Sequence, residues 1–263
     1  SFGNPDLFME KYIESARHIE VQIIGDKHGN VCHLGERDCS IQRRHQKLVE
    51  EAPSPTLNDK ERNALGDAAV KAAKAVNYDS AGTLEFLYDE NAKQFYFMEM
   101  NTRIQVEHTV SEEVCGIDLV KEQIRVAAGE KLSFTQEDVV IRGHAIEFRV
   151  NAENPYNNFT PSPGPVEAVH FPGGPGIRID SHVYSGYNIS PYYDSMIGKI
   201  IAHGKDRDEA IARMRRALEE FTINGPHTSV PLGEALIADS RFREGHYNTA
   251  FLEKFMHEVF LNP

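Results

Sequence analysis

The stretch FYFMEMNTRIQVEH, residues 95–108, decides how the rest of this chain is read. Taken with the period of two of an extended strand, Glu99, Asn101, Arg103, Gln105 and Glu107 fall on one side. Met98, Met100, Thr102, Ile104 and Val106 fall on the other. One face is almost wholly apolar, and its opposite carries two carboxylates, a guanidinium and two amides. A half-buried strand with a wet outer face accepts any polar residues, so the pattern alone permits that plain reading. An Arg set between carboxylates and amides is also what holding an oxyanion beside a metal ion requires.

Upstream, Thr83-Leu84-Glu85-Phe86-Leu87-Tyr88 alternates too, and 89–94 reads as a polar turn. Segments 83–88 and 95–100 are therefore expected to pair as an antiparallel hairpin. Symmetry about Ala92 sets Glu85 opposite Glu99. Two facing carboxylates repel each other unless a cation separates them. A hard divalent ion such as Mg2+ (or Mn2+), with nucleotide phosphates as further ligands, answers that need. Glu85, Glu99 and the amide oxygen of Asn101 form the expected metal set, with Arg103 beside them for an anionic substrate.

Composition bounds the partners. The 263 residues carry 28 Lys and Arg against 40 Asp and Glu, a formal charge of −12 that opposes the basic footprint of a nucleic-acid-binding surface. An anionic substrate would need a local basic patch, and Arg43, Arg44, His45 and Lys47 supply one. No apolar run approaches the roughly 20 residues that span a bilayer, and no secretory pattern opens the chain. Neither nucleic acid nor membrane is thus expected as a partner. Cys32, Cys39 and Cys115 are odd in number and lack metal-ligand spacing, so free thiols in a reducing cytoplasm are expected. With no Met ahead of Ser-Phe-Gly-Asn-Pro, the numbering is expected to start inside a longer chain.

Away from the hairpin, residues 6–13 read as a short strand. Segments 18–25 and 31–37 read as partners about the turn 27–30, and the polar, basic 38–47 as a solvated loop. Asn58 and Glu61 cap a helix in which Leu65, Ala68, Ala69, Ala72, Ala73 and Val76 recur at helical spacing. Thr109 and Glu112 suggest a second capping box, and 117–128 a helix stopped by Gly129. Segment 145–151 alternates and places Glu147, Arg149 and Asn151 on one face, where an ion pair would by itself account for Arg149. Beyond Pro161 the chain is turn-rich β structure with strands near 177–183 and 196–203. Gly173, Gly174 and Gly176 form a turn there, because no helix follows to present its N-terminus to a phosphate. Asp206 and Glu209 cap a helix striped by Ile211, Met214, Leu218 and Phe221, and 230–239 is a further helix. The whole is an α+β pattern, mostly antiparallel sheet with packed helices.

Four stretches carry a resemblance. MEMNTRIQVEH at 98–108, ERDCSIQRRHQK at 36–47, HAIEFRVNAE at 144–153 and YYDSMIG at 192–198 are similar to the signatures of biotin carboxylase, an ATP-grasp enzyme. Runs this long are far more specific than a lone glycine pattern, and the likeness extends along the whole chain. It implies the end of an ATP-grasp lid and its hinge at 1–13 and an ATP-grasp body with metal and bicarbonate sites at 14–128. The biotin carboxylase C-terminal region then follows at 129–263. It also implies that an N-terminal nucleotide-fold domain and a glycine-rich lid are missing, leaving this chain alone inactive or poorly active.

The chemistry that the resemblance implies is ATP-dependent carboxylation of biotin by bicarbonate through carboxyphosphate. That is the first half-reaction of a biotin-dependent carboxylase, such as the acetyl-CoA carboxylase of fatty acid biosynthesis. Nucleotide contacts fall to Glu10, Lys11, Ile13 and His18 at the hinge, to Gln42 and His45 by the phosphates, and to Glu85, Leu87 and Glu99. Lys47, Arg103, Gln105, Val106 and Glu107 take bicarbonate, with Glu107 as general base. A neighbouring guanidinium makes a carboxylate a poorer base, so position has to carry that step. Arg149 steadies the anion of biotin, whereas His108 is structural. ATP and Mg2+ are the implied cofactors. Biotin is a substrate brought by a carrier protein or domain, because no Met-Lys-Met attachment site is present. A carboxyltransferase and a second copy of the chain in a homodimer complete the implied partners. Two other readings stay open, a different ATP-grasp ligase and a noncatalytic binding or assembly fragment. Thr109 stands where the family usually has Pro, and the final carboxyl acceptor is not written in these residues.

Overall fold

A computed structural model of the chain describes Asp6, Leu7, Met9 and residues 11–261. Its centre is an eight-stranded sheet in which every neighbouring pair is antiparallel. Numbered within this sheet, the strands are β1 (Ala16–Gly25), β2 (Val31–Arg43), β3 (Gln46–Ala52), β4 (Ser80–Asp89), β5 (Gln94–Asn101), β6 (His144–Asn151), β7 (Ile177–Ser181) and β8 (Met196–Gly204). Their spatial order is β7-β8-β6-β3-β2-β1-β4-β5.

Helices cover both faces, which is why β1 is buried at all ten of its positions. On one face, α1 (Asp59–Ala75) sets Leu65, Ala69 and Ala73 against Ile19, Ile23 and Leu84. Helices α4 (Arg207–Glu220) and α5 (Val230–Ala238) continue that layer over Val49, Phe148 and Ile200. On the other face, α2 (His108–Cys115) buries Val110 and Val114 against Ala52, Ala145 and Ile201, and α3 (Leu119–Ala127) buries Leu119 against Ile24 and Leu34. Two of the three helix starts read from caps are present. Asn58 and Glu61 form a reciprocal capping box, and Asp206 accepts from the Glu209 amide. Within α1 the buried stripe is narrower than its apolar spacing suggests, since Ala68, Ala72 and Val76 face outward.

Four expectations need correction. The described residues among 6–13 form no strand, and Leu7, Met9 and Tyr12 are exposed. Segment 38–47 is no loop: β2 runs on to Arg43, Arg44 and His45 turn with φ of 48° and 66°, and β3 starts at Gln46. Two successive positive φ values make the tight hairpin turn that Asn-Gly usually signals, and Arg-His carries no such signal. The period of two stops at Asn101, so 102–107 is a folded loop leading into α2. Thr109 lies inside α2 with its hydroxyl donating to Glu147, while Glu112 accepts from the Leu119 amide at 2.7 Å, so these two make no capping box.

The β4–β5 hairpin forms as expected, with Glu85 directly opposite Glu99. A β-bulge produces that pairing. Phe86 faces Phe97 and Glu85 faces Glu99, so Met98 is the extra residue that shifts the register.

Candidate active site

Directly paired residues of an antiparallel ladder point to the same face. The register therefore lines up Arg37, Glu20, Glu85 and Glu99 as one row across β2, β1, β4 and β5. A second group stands on the same face nearby, with Glu50 opposite Glu147 across β3 and β6, and Arg149 opposite Lys199 across β6 and β8. Between the two lies a cleft of ≈ 590 Å³.

Lys47 reaches into this cleft from the start of β3. Its Nζ contacts Glu20, lies 2.6 Å from Glu107 Oε1 and 3.2 Å from Glu85 Oε1. One ammonium thus bridges three carboxylates from β1, β4 and the 102–107 loop. The loop is pinned from below: Gln105 Nε2 donates to Glu85 at 2.7 Å, Arg37 donates to Gln105 Oε1 at 3.2 Å, and Lys199 Nζ donates to the Val106 carbonyl. These ties present Glu107, whose Oε2 accepts from Arg149 Nη2 at 2.9 Å. Arg149 in turn donates its Nε to Glu50 at 2.6 Å. Arg103 is exposed at the cleft, with Nη2 3.3 Å from Asn101 Oδ1.

Beneath the cleft Arg37 is wholly buried and donates to Glu20, Gln22, Thr83, Gln105 and Ser111. Burial would raise the Glu20 carboxyl, but His18, Arg37 and Lys47 together hold it well below the usual range. Burial likewise opposes charge on His18, yet hydrogen bonds to Glu20 and Glu85 outweigh it and push the imidazole up to about 9. His18 Nε2 lies 2.9 Å from Glu85 and 3.2 Å from Glu20, and its Nδ1 lies 2.7 Å from the Gln42 amide. An imidazolium there requires the Gln42 amide oxygen to face Nδ1. Cys39 is no nucleophile, because burial, followed by Glu20, pushes its thiol well up.

The residues fit a hard cation at the edge of this site. Glu85 and Glu99 face each other, and Asn101 Nδ2 donates to both at 2.9 Å, occupying the space between them. An amide flip brings Asn101 Oδ1 to the same point, giving three oxygen ligands of the kind Mg2+ prefers.

Of the residues expected from sequence, His18, Gln42, His45, Lys47, Glu85, Glu99 and Asn101 line the cleft with Arg103, Gln105, Val106, Glu107 and Arg149. Lys11, Ile13 and Leu87 are not in that lining; Lys11 Nζ sits 5.6 Å from the centre of the Tyr96 ring. Glu10 lies outside the described residues. Sequence reasoning missed Glu20, Arg37, Glu50, Glu147 and Lys199. The signal for the first two is present in the chain, since 18–25 and 31–37 read as partners and their register sets Glu20 against Arg37. Asn151, Asp194, Ser195 and Met196 also line the cleft, the last three from YYDSMIG, a stretch that suggests no contact from sequence alone.

Comparison with known proteins gives two family matches: "Carbamoyl-phosphate synthase L chain, ATP binding domain" over residues 1–135 and "Biotin carboxylase C-terminal domain" over 147–254. The chain is 60% identical to Biotin carboxylase 1 of Bacillus subtilis (strain 168), aligning 97% of itself with 57% of that protein. It is 57% identical to the biotin carboxylase of Nostoc sp., aligning 97% of itself with 57% of that protein. The chain therefore spans little more than half the length of these relatives. A crystal structure of the biotin carboxylase domain dimer of Hydrogenobacter thermophilus 2-oxoglutarate carboxylase, in complex with MgADP, ADP and bicarbonate, superimposes with a TM-score of 0.92 at 53% identity. That match covers 94% of this chain and 55% of the other.

Proposed function

The chain belongs to the biotin carboxylase family, and from that premise we propose that its cleft carboxylates biotin with bicarbonate at the expense of ATP. The observation that carries this reading is the convergence of Lys47 and Arg149 on the two oxygens of Glu107, beside the exposed guanidinium of Arg103. Fixed cations around a small anion lower its entry cost, and a carboxylate set among them can take its proton. The relative crystallised with MgADP and bicarbonate supports the ligand assignment.

Bicarbonate binds between Lys47, Arg103 and the 105–107 loop, with Glu107 positioned to take its proton as its oxygen attacks the γ-phosphorus of ATP. ADP leaves, and the resulting carboxyphosphate breaks down to CO2 and phosphate. Phosphate accepts the N1 proton of biotin, Arg149 stabilises the biotin anion, and N1 attacks CO2. His18, Gln42 and His45 lie toward the nucleotide. Glu85, Glu99 and Asn101 would hold Mg2+ or Mn2+, which supplies charge neutralisation for the phosphates. Lys11, Ile13 and Leu87, which are outside the cleft lining, are assigned with Glu10 to nucleotide binding. Residues 14–128 thus serve as the ATP-grasp body and 129–263 as the C-terminal region. A biotin carrier, a carboxyltransferase and a second copy of the chain are the partners, the last supported by the dimer of the crystallised relative. No helix among the described residues is long and apolar enough to cross a membrane, and all three cysteines are free and buried, in keeping with a cytoplasmic setting.

The test is ADP release with bicarbonate, with and without free biotin, on this chain and on the full-length protein. Biotin-stimulated release that collapses in Glu99→Gln supports the reading. Release indifferent to biotin would return the chain to another ATP-grasp ligase, and unchanged turnover in Glu99→Gln would remove the metal assignment.

A further inference from the structure

We propose that Glu50 and Glu147 share one proton across the β3–β6 ladder and act as a single monoanion that positions the Arg149 guanidinium. The role of Arg149 toward a biotin anion rests on the function proposed above; the shared proton does not. Neither glutamate is exposed, and they are direct register partners on adjacent strands. Each has one oxygen engaged. Glu50 Oε1 takes Nε and Nη2 of Arg149 at 2.6 and 2.5 Å, and Glu147 Oε2 accepts from the Thr109 hydroxyl with Lys199 Nζ 3.5 Å away. Each also has one oxygen with nothing bound to it among the described residues, Glu50 Oε2 and Glu147 Oε1.

Two buried, unpartnered carboxylate oxygens are costly, and a protein with no donor to spare cannot satisfy both. One proton solves both problems, since a protonated carboxyl donates and its ionised neighbour accepts. Charge counting leads to the same point. Arg149 of β6, Lys199 of β8 and Glu107 of the 102–107 loop are the charged groups acting on the pair, and Asp180, itself paired with Arg178, lies 3.8 Å from Lys199. Lys47 is already shared among Glu20, Glu85 and Glu107. With both acids ionised, three carboxylates would face two cations; with one proton held, two face two. Burial pushes both acids up, reinforced at Glu50 by Glu147 and Glu107 and at Glu147 by Glu107, with Glu50 reaching about 8, which agrees with the geometry.

The consequence is positional. Glu50 and Glu107 grip Nε and Nη2 of Arg149, and neither uses its Nη1. A second full negative charge beside Arg149 would weaken its hold on an anionic ring, so the pair should be singly charged when the enzyme works.

Infrared spectroscopy of the full-length protein tests the proton directly. A neutral-carboxyl band present at pH 7 should disappear on titration through the value of about 8, and it should be missing from both Glu50→Gln and Glu147→Gln, in which the surviving acid becomes the monoanion. Each single Gln variant should lose the alkaline limb of its pH profile for biotin-dependent ADP release, and the double Gln variant should release ADP at least about tenfold more slowly than either single variant. A wild-type spectrum without the band, or a band that survives in both variants, overturns the proposal. The wild-type titration needs no variant, so misfolding cannot leave the matter open. A protein with the band but no biotin-stimulated release keeps the shared proton and rejects the functional reading; release without the band does the reverse.

Discussion

Glu50 and Glu51 are adjacent in sequence and equally buried, but they point to opposite faces of β3 and live in opposite surroundings. Glu50 faces the cleft with one oxygen on Arg149 and the other unpartnered. Glu51 faces the α4 side, where both oxygens are saturated. His144 Nε2 lies 2.5 Å away, Arg207 donates twice at 2.7 and 3.0 Å, and the Tyr247 hydroxyl donates as well. Burial alone would raise the Glu51 carboxyl, but Arg207 and His144 drive it far below the usual range. Burial wins at Glu50, which is pushed up to about 8. Arg207 also donates to the carbonyls of Phe242 and Arg243, so Glu51 ties α4 to the C-terminal segment. A saturated buried ion holds the fold together, whereas a partly satisfied one beside a cleft is poised for chemistry.

The largest effect expected follows from breaking the saturated side. Glu51→Gln leaves the guanidinium of Arg207 without its counter-charge, and removing one partner of a buried pair costs about 3–5 kcal/mol. For a chain of this size that is roughly a 10 °C fall in Tm. Glu50→Gln keeps a hydrogen-bonding isostere beside a neighbour that can ionise, and should cost under about 1 kcal/mol. Denaturation curves giving equal losses for the two variants would erase the distinction.

Next comes Lys47→Met, which sharpens the cleft side. Glu20, Glu85 and Glu107 lose their common cation. Bicarbonate-dependent ATP turnover should drop by about 10²–10³, the usual scale for losing a preorganised charge at a reacting centre. A turnover within tenfold of wild type would show that Lys47 only balances charge.

The pH dependence of stability separates the two acids by sign. Glu51 is ionised in the fold at pH values where the unfolded chain is protonated, so its contribution is present above the ordinary value of 4.5 and lost as pH falls. Glu50 holds a proton in the fold that the unfolded chain has released, so its contribution is present below 4.5 and fades as pH rises through about 8. His18 slopes the same way, its stabilisation present below 6.5 and lost through about 9. Subtracting the curve of Glu50→Gln from wild type should therefore leave a slope between pH 4.5 and 8, and Glu51→Gln should flatten only the acid side. Identical difference curves would contradict the assignment.

Sequence reading reaches the neighbourhood of Glu85 and Glu99 and not that of Glu50. The β4–β5 hairpin is local, so alternation and a polar turn are enough to set Glu85 against Glu99, and the bulge at Met98 makes that pairing hold. Glu50 meets Glu147 through strands that only the folded sheet brings together. No periodicity encodes which distant strands become neighbours. The Arg44-His45 turn is hidden because those residues seldom take positive φ, so the basic segment reads as a loop instead of the hairpin that delivers Lys47. The roles proposed for Lys47, Arg103, Glu107 and Arg149 come from resemblance; the structure adds that Glu20, Glu50, Glu147 and Lys199 on the same side of the sheet are buried acids and a lysine that look like ordinary charges along a chain.

Glu61 supplies the smallest effect and fixes the scale for the other two. It is a half-buried acid with both oxygens engaged, Oε2 accepting from the Asn58 amide at 3.0 Å and Oε1 from the Tyr88 hydroxyl at 2.9 Å. Its hydrogen-bond partners are neutral donors, and Lys93 acts on it only through space. Glu61→Ala should cost about 1 kcal/mol, the usual worth of a cap interaction. Glu61→Gln should cost only a few tenths, because Gln serves a capping box as well as Glu. At Glu51 the same Glu-to-Gln change is expected to be several-fold worse, since there the charge itself is matched to Arg207. Thermal denaturation of the two Gln variants side by side measures that ratio. A ratio near one would mean that Glu51 acts through its hydrogen bonds alone, and the opposition between saturated ion and poised acid would then have to be argued from Glu50 only.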